Sequence, residues 1–221
     1  MLDTHPFLPT SNAVRTAIEA LAGKLEKAGA KVARNSPLLP DLEAMARTYY
    51  TLLNSVFSAD LPIDVYERIR TAAAGSPASD VSLEAVGVRG LALSHRDWIW
   101  ANRVRNVVAQ RWRALFGEFD VVACPILPTV AFAHDHSEPQ RARKLDVDGA
   151  PQACGRQAVW AGLATLTGQP ATAMPIARSP EGLPIGVQLV GPYLEDRTTI
   201  AIAGLIERAF GGFVPPPGYA G

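Results

Sequence analysis

The side chains of this 221-residue chain that could do chemistry are few and scattered. His134-Asp135-His136 lies ten residues after Cys124, and imidazole, carboxylate and thiolate are the ligands of a tetrahedral zinc site. Such a site wants a second paired motif, and none follows. Cys124 also falls in a short apolar run where a buried strand would hide it. The pattern therefore reads as a solvated loop beside a structural thiol, with no metal and no cofactor implied. Nucleophilic catalysis by serine requires a base within hydrogen-bond reach. No serine here stands in G-x-S-x-G or S-x-x-K, no two serines are adjacent, and no Gly-rich phosphate loop occurs. Arg96, Arg103, Arg105, Arg111 and Arg113 interleave with Trp98, Trp100 and Trp112, a composition that could stack nucleic-acid bases. On a helix, however, Trp98 and Trp112 lie almost four whole turns apart and share one stripe, with the arginine stems beside it.

Composition narrows the classes further. Lys plus Arg number 21 and Asp plus Glu 21, so the formal net charge is zero and no summed field gathers nucleic acid or an anionic membrane. Hydrophobic residues make up 48% and charged residues 19%, which excludes disorder as the main state. Two cysteines are too few for a disulfide framework. The stretch from Met1 to Pro6 has neither the basic nor the apolar region of a secretory leader, so the expected compartment is the cytoplasm. Even the apolar tract 158–177 is interrupted by Thr165, Thr167, Gln169, Pro170 and Pro175, so no membrane span is expected.

The elements that must position any site follow from periodicity and punctuation. Residues 11–28 predict an amphipathic helix capped by Ser11, with Val14, Ile18, Leu21, Leu25 and Ala28 inward and Gly29 as its stop. A short strand at 31–34 and a Pro-bounded turn precede a helix over 41–58, with Leu42, Met45, Tyr49, Leu52 and Val56 inward. Helices over 63–74 and, weakened by Gly87 and Gly90, over 81–93 come next. The longest helix runs from a Ser94 cap to about 117, with Trp98, Ala101, Val104, Val108, Trp112, Leu115 and Phe116 on one stripe. A buried strand at 119–124 follows, then a long loop over 129–152. Residues 157–166 predict a helix, and 171–177 and 185–190 two strands joined by a hairpin-like connection. A last helix begins at an Asp196 cap, turns Ile200, Ile202, Leu205, Ile206 and Phe210 inward, and is stopped by Gly211-Gly212 and Pro215–Pro217. The whole reads as one partial domain over 1–221: mainly helical to 117, strands with helices over 118–217.

Three stretches carry a resemblance. They are Phe119-Asp120-Val121-Val122-Ala123-Cys124-Pro125-Ile126-Leu127-Pro128-Thr129, then Leu166-Thr167-Gly168-Gln169-Pro170-Ala171, then Gly182-Leu183-Pro184-Ile185-Gly186-Val187-Gln188-Leu189-Val190-Gly191. Together they resemble the C-terminal half of the amidase signature family, and the upstream helices and closing Pro-rich tail fit that region. The resemblance implies an α/β or α+β fold, helices packed on part of a mixed β-sheet that is incomplete without its N-terminal half. It also implies hydrolysis of a carboxamide C–N bond by a Ser-Ser-Lys triad. That triad belongs to a Gly/Ser-rich segment with no counterpart here, and Met1 falls just after the strand that leads into the helix at Ser11. No catalytic residue can then be placed on this chain, and the chain alone is expected to be inactive.

By the same resemblance the C-terminal half lines the substrate. Pro125, Ile126 and Thr129 after the strand, and Arg156, Gln157 and Trp160 around the following helix, are the candidates for substrate-pocket walls. For each, a turn proline, a solvated arginine or a core tryptophan is the alternative. The implied partner is the N-terminal amidase half or a second copy, with a small amide bound only by the complete enzyme, and neither nucleic acid nor membrane. The alternative function is a free-standing, non-catalytic protein of amidase descent. Strands at 120–124, 171–177 and 185–190 are expected to leave an exposed sheet edge.

Overall fold

The computed structural model describes residues 1–216, 218 and 219. Side-chain caps fix several helix starts, those at Ser11 and Ser94 as expected. The Ser11 hydroxyl accepts from the Val14 N–H at the start of α1 (Asn12–Lys27), and Lys24 and Lys27 occupy its last turn, where cations complement the carbonyl end. The Asp41 carboxylate accepts from the Glu43 and Ala44 N–H groups ahead of α2 (Leu42–Phe57). Gly75 closes α3 (Ile63–Ala74), Ser82 caps α4 (Leu83–Leu91) and Ser94 caps α5 (His95–Leu115). Of the two glycines that weaken α4 on propensity, Gly90 has a packing role. A Cβ on Gly90 would sit 2.8 Å from the Thr51 carbonyl oxygen, so its absence lets α4 approach the α2 backbone.

The second part of the chain supplies the sheet: β1 (Val122–Pro125), then, beyond a hairpin and a helix, β4 (Ala171–Arg178) and β5 (Pro184–Val190). Their order is β1-β5-β4, all antiparallel, with Val122 opposite Val190, Cys124 opposite Gln188 and Ala171 opposite Val190. Helices thus pack on a small sheet, the fold class expected, and the pairing among the described strands is antiparallel throughout. Because side chains alternate along a strand, the sheet feeds two cores. On one face Val122, Cys124 and Val190 meet Met45, Leu52, Trp112, Leu115, Trp160 and Leu163. On the other Ala123, Leu189, Val187 and Ile185 meet Val14, Ile18 and Leu21 of α1 and Ile206 of the last helix, α7 (Asp196–Phe210).

Several expectations are corrected. Residues 31–34 form no strand, since a strand needs a paired segment along its length and only the Met1 ammonium, donating to the Ala33 carbonyl, meets its backbone. The stretch 129–152 is more than a loop: a 3-10 turn (Gln140–Ala142) leads into a hairpin of β2 (Lys144–Val147) and β3 (Ala150–Ala153). Leu145 and Val147 are buried, and Asp148 and Gly149 take φ of 53° and 84°, the paired positive angles of a tight hairpin turn. The Asp148 carboxylate also accepts from the Asn12 N–H at 2.8 Å, docking the hairpin on α1. Asp196 is the first residue of α7 and not its cap; Glu195 precedes it with no capping side-chain bond. Ala28, Val56, Val104, Ile200 and Leu205, expected inward, are exposed. Pro217, last of the closing prolines, lies outside the described residues.

Candidate functional site

The candidate wall residues gather where β1 ends and α6 (Ala158–Thr165) begins. Gln188 joins the two. From β5 its side-chain amide donates to the Pro125 carbonyl at 2.9 Å and to the Trp160 carbonyl at 3.0 Å. Gln188 is only 8% exposed, so both bonds replace water that cannot reach these groups. Beyond buried Pro125 the chain emerges: Ile126 is 36% exposed, and the Thr129 hydroxyl donates to the Val130 carbonyl at 3.0 Å. Ile126 lies over the backbone of Gly186, where a Cβ would come within 2.8 Å of the Ile126 Cδ1. The Ser11 N–H donates to the Pro128 carbonyl at 2.8 Å, tying the end of this loop to α1.

Trp160 is 0% exposed. The His5 ring meets it edge-on, with centroids 5.5 Å apart, and the His5 Nδ1 accepts from the Phe7 N–H at 3.2 Å. Burial pushes the His5 imidazole down to about 4, against a smaller raising effect of Glu43, so at neutral pH the ring is uncharged. Arg156 and Gln157 belong to a 3-10 turn (Cys154–Gln157) just ahead of α6 and are engaged elsewhere. Arg156 Nε donates to Glu84 Oε1 at 2.8 Å, and that bond holds the Glu84 carboxyl below its usual range. Beside it the Tyr50 hydroxyl donates to the Gly155 carbonyl at 2.6 Å. The Gln157 amide donates to Cys154 Sγ at 3.3 Å. Pro125 and Trp160 are therefore brought together through Gln188, Ile126 and Thr129 hang on the adjoining loop, and Arg156 and Gln157 brace the turn before the helix.

Two residues of this cluster do not stand out as site residues in the sequence. His5 gives no signal in its loop. Gln188 does give one, as the one amide in the otherwise apolar strand Pro184–Val190, and a polar side chain buried in a strand needs a partner.

The chemistry available here is that of a scaffold. Among the described residues no serine hydroxyl is hydrogen-bonded to a histidine or lysine; Ser11, Ser82 and Ser94 cap helices, and Ser36 and Ser179 accept from backbone N–H groups of turns. Burial pushes the Cys124 thiol up to about 12, which keeps it protonated. His134 and His136 stack on each other 5.8 Å apart on an exposed stretch, and no group of three or more His, Cys, Asp or Glu side chains is gathered to hold a metal among the described residues.

The family model described as Amidase matches residues 2–200. A glutamyl-tRNA(Gln) amidotransferase subunit of Ralstonia nicotianae is 26% identical over 215 residues, covering 89% of this chain and 41% of that protein. The same subunit of Parvibaculum lavamentivorans is 28% identical over 203 residues, covering 84% of this chain and 38% of its own length. Among solved structures, a crystal structure of an amidase superposes with a TM-score of 0.66 at 24% identity over 91% of this chain and 43% of that one. The glutamyl-tRNA(Gln) amidotransferase subunit of Thermotoga maritima gives 0.64 at 20% identity over 94% and 42%. At these identities the structural likeness speaks for the fold. The chain spans about two fifths of the length of the curated relatives it matches.

Proposed function

This chain belongs to the amidase family, and on that premise we propose that it is the C-terminal portion of an amidase-type hydrolase, one partial domain that contributes pocket walls and sheet to an enzyme whose catalytic residues lie in another segment. The observation that carries this reading is the coverage: nearly the whole chain matches the family, yet it accounts for only 41% of such a relative as the Ralstonia protein. Hydrolysis of a carboxamide needs an activated nucleophile, a group that takes its proton and returns it to the leaving nitrogen, and N–H donors facing the oxyanion. The serines and the buried thiol described above serve none of these roles. In this reading Pro125, Ile126, Thr129, Arg156, Gln157 and Trp160 form or back the wall on which an amide substrate rests. Gln188 gives that wall its rigidity, since it fixes the end of β1 to α6 while the Arg156–Glu84 pair fixes the turn before it. No helix among the described residues is long and apolar enough to cross a membrane.

The purified chain is expected to show no hydrolysis of a simple aryl amide or of a fatty amide above the rate in buffer. Release of amine that scales with protein concentration and is abolished by a serine-directed fluorophosphonate would overturn the proposal.

A further inference from the structure

Helix α5 buries one face and leaves a second apolar line in solvent. Val108, Trp112 and Leu115 lie in the core, with Trp98 and Ala101 packed against it. On the outer flank Trp100, Val104 and Val107 stand four and three residues apart, so the helical repeat stacks them in one line. They are 55%, 42% and 57% exposed. Ala114 continues the line to a length of about 21 Å at the helical rise. Single exposed apolar residues need no explanation, but a line of them at alternating spacings of four and three is the seam by which one helix packs on another.

Charge decides what fits the seam. Although the chain as a whole has zero net charge, α5 carries Arg96, Arg103, Arg105, Arg111 and Arg113 against one acidic residue, Asp97. The Asp97 carboxylate is engaged at the helix cap, where it accepts from the Ser94 hydroxyl. None of the five arginines is in an ion pair among the described residues. Arg96 lies one turn before Trp100 and Arg111 one turn after Val107, and both are exposed. Arg103 stands beside the line, its guanidinium 4.5 Å from the centroid of the Trp100 ring. A second copy packed through the same face would set arginine against arginine across the two-fold axis. A bilayer takes up a helix through its broad apolar face, and the broad face of α5 is in the core. Nucleic acid stacks on open aromatic rings, whereas Arg103 already covers the one exposed indole of this helix. An acidic helix meets every condition, because its aliphatic line fills the seam while its flanking carboxylates pair with the arginines.

We propose that the Trp100–Val104–Val107 line of α5 is a docking seam for an acidic amphipathic helix of a separate protein, whose aliphatic side chains pack on the line and whose carboxylates pair with Arg96, Arg103 and Arg111. Arginines are costly to bury without partners. The face therefore stays at the surface when the rest of the amidase fold is present, and the seam serves a partner from outside that fold. It is distinct from the pocket-wall residues and does not depend on the reading under Proposed function. It accounts for Trp100, the tryptophan of α5 that stands outside the core.

The test titrates the full chain into a dye-labelled peptide of three Leu-Glu-Ala-Leu-Glu-Gln-Glu repeats, whose like charges keep it from pairing with itself. One control has the same composition with its leucines spread round the helix, and a second has Lys in place of Glu. Fluorescence anisotropy is expected to give a Kd on the order of tens of micromolar at low salt, in keeping with a single-helix interface below the standard size. Binding should weaken at least tenfold at about 0.5 M salt, and both controls should bind at least tenfold more weakly. Val107→Asp should weaken binding at least tenfold while changing Tm by less than about 2 °C, because the side chain is exposed. Arg103→Glu combined with Arg111→Glu should weaken it as much and, at the same time, confer binding of the Lys peptide. No binding at about 1 mM chain, equal affinity for the reordered peptide, or binding untouched by Val107→Asp would overturn the seam. A dimer by sedimentation velocity that Val107→Asp dissociates would overturn the assigned occupant in favour of a second copy. Displacement of the peptide by phosphatidylserine vesicles or by a single-stranded oligonucleotide would overturn it in favour of a membrane or a nucleic acid.

Discussion

Trp160→Ala is expected to lower the unfolding free energy by about 3–5 kcal/mol, the range for truncating a fully enclosed aromatic residue. The indole is 0% exposed and packs with Val159, Leu163 and Trp112 in the core on one face of the sheet. Truncation removes those contacts and leaves a cavity that flanking elements cannot close without moving α6 away from β1. The Gln188 bond to residue 160 survives in part, because it is made to the backbone carbonyl. His5 loses its edge-on partner, a contact of about 0.5–1.5 kcal/mol beyond area burial. Trp160→Phe should cost much less, because phenylalanine keeps most of the volume and removes an indole N–H that has no hydrogen-bond partner among the described residues. Urea unfolding of the two variants checks this. A loss under about 1 kcal/mol for the alanine variant would mean that the indole is not part of the core.

A second large effect is expected in mild acid. His5 is 6% exposed, and burial pushes its pKa down to about 4 from an ordinary value of 6.5. Between those values the unfolded chain binds a proton that the folded chain refuses, so the unfolded state gains as pH falls. The contribution of the neutral, buried ring is therefore complete above about pH 6.5, is lost progressively down to about pH 4 and then levels off, with a total on the order of 3 kcal/mol. Several carboxylates have lowered pKa values, Glu19 and Glu26 beside Arg34 among them, and their own contribution is lost only from about pH 5 downward. The Met1 amino group, also pushed down by burial from an ordinary value of 8.0, loses its own share on the way down from about pH 8, so the part due to His5 is read by comparison with a His5 variant between pH 6.5 and 5. His5→Asn, able to keep an acceptor for the Phe7 N–H, should flatten the stability profile across that interval, whereas an unchanged slope would place the titrating group elsewhere.

What is legible in the sequence follows the physics of short range. Ser11 and Ser94 announce helix starts because a capping oxygen acts within three residues, while the caps at Asp41 and Ser82 go unread and Asp196 proves to be the first residue of its helix. The packing of α4 is less legible: Gly87 and Gly90 lower helix propensity, and only the nearby α2 backbone reveals what Gly90 permits. The hairpin at 144–153 escapes a reading by periodicity although Asp148-Gly149 stands between the alternating Lys144–Val147 and a second short strand, a turn signal diluted by the polar stretch around it. The strand at 31–34 is legible in composition and is absent because a ladder is a property of two segments. In the candidate site, resemblance places Pro125 and Trp160 together, while the side chain that joins them, Gln188, is one letter in an apolar run. Arg156 carries the right chemistry for gripping an anion, but Glu84, seventy-two residues away in the chain, already holds it.

The proposed role stands or falls most directly on the coding sequence immediately upstream of the Met1 codon. The expected result is a reading frame, joined to this one or separated from it by a break, that encodes a lysine followed by a Gly/Ser-rich segment with the paired serines of the amidase signature. Unrelated sequence there, with this chain translated from Met1 as it stands, would contradict the account and leave a free-standing protein of amidase descent in its place.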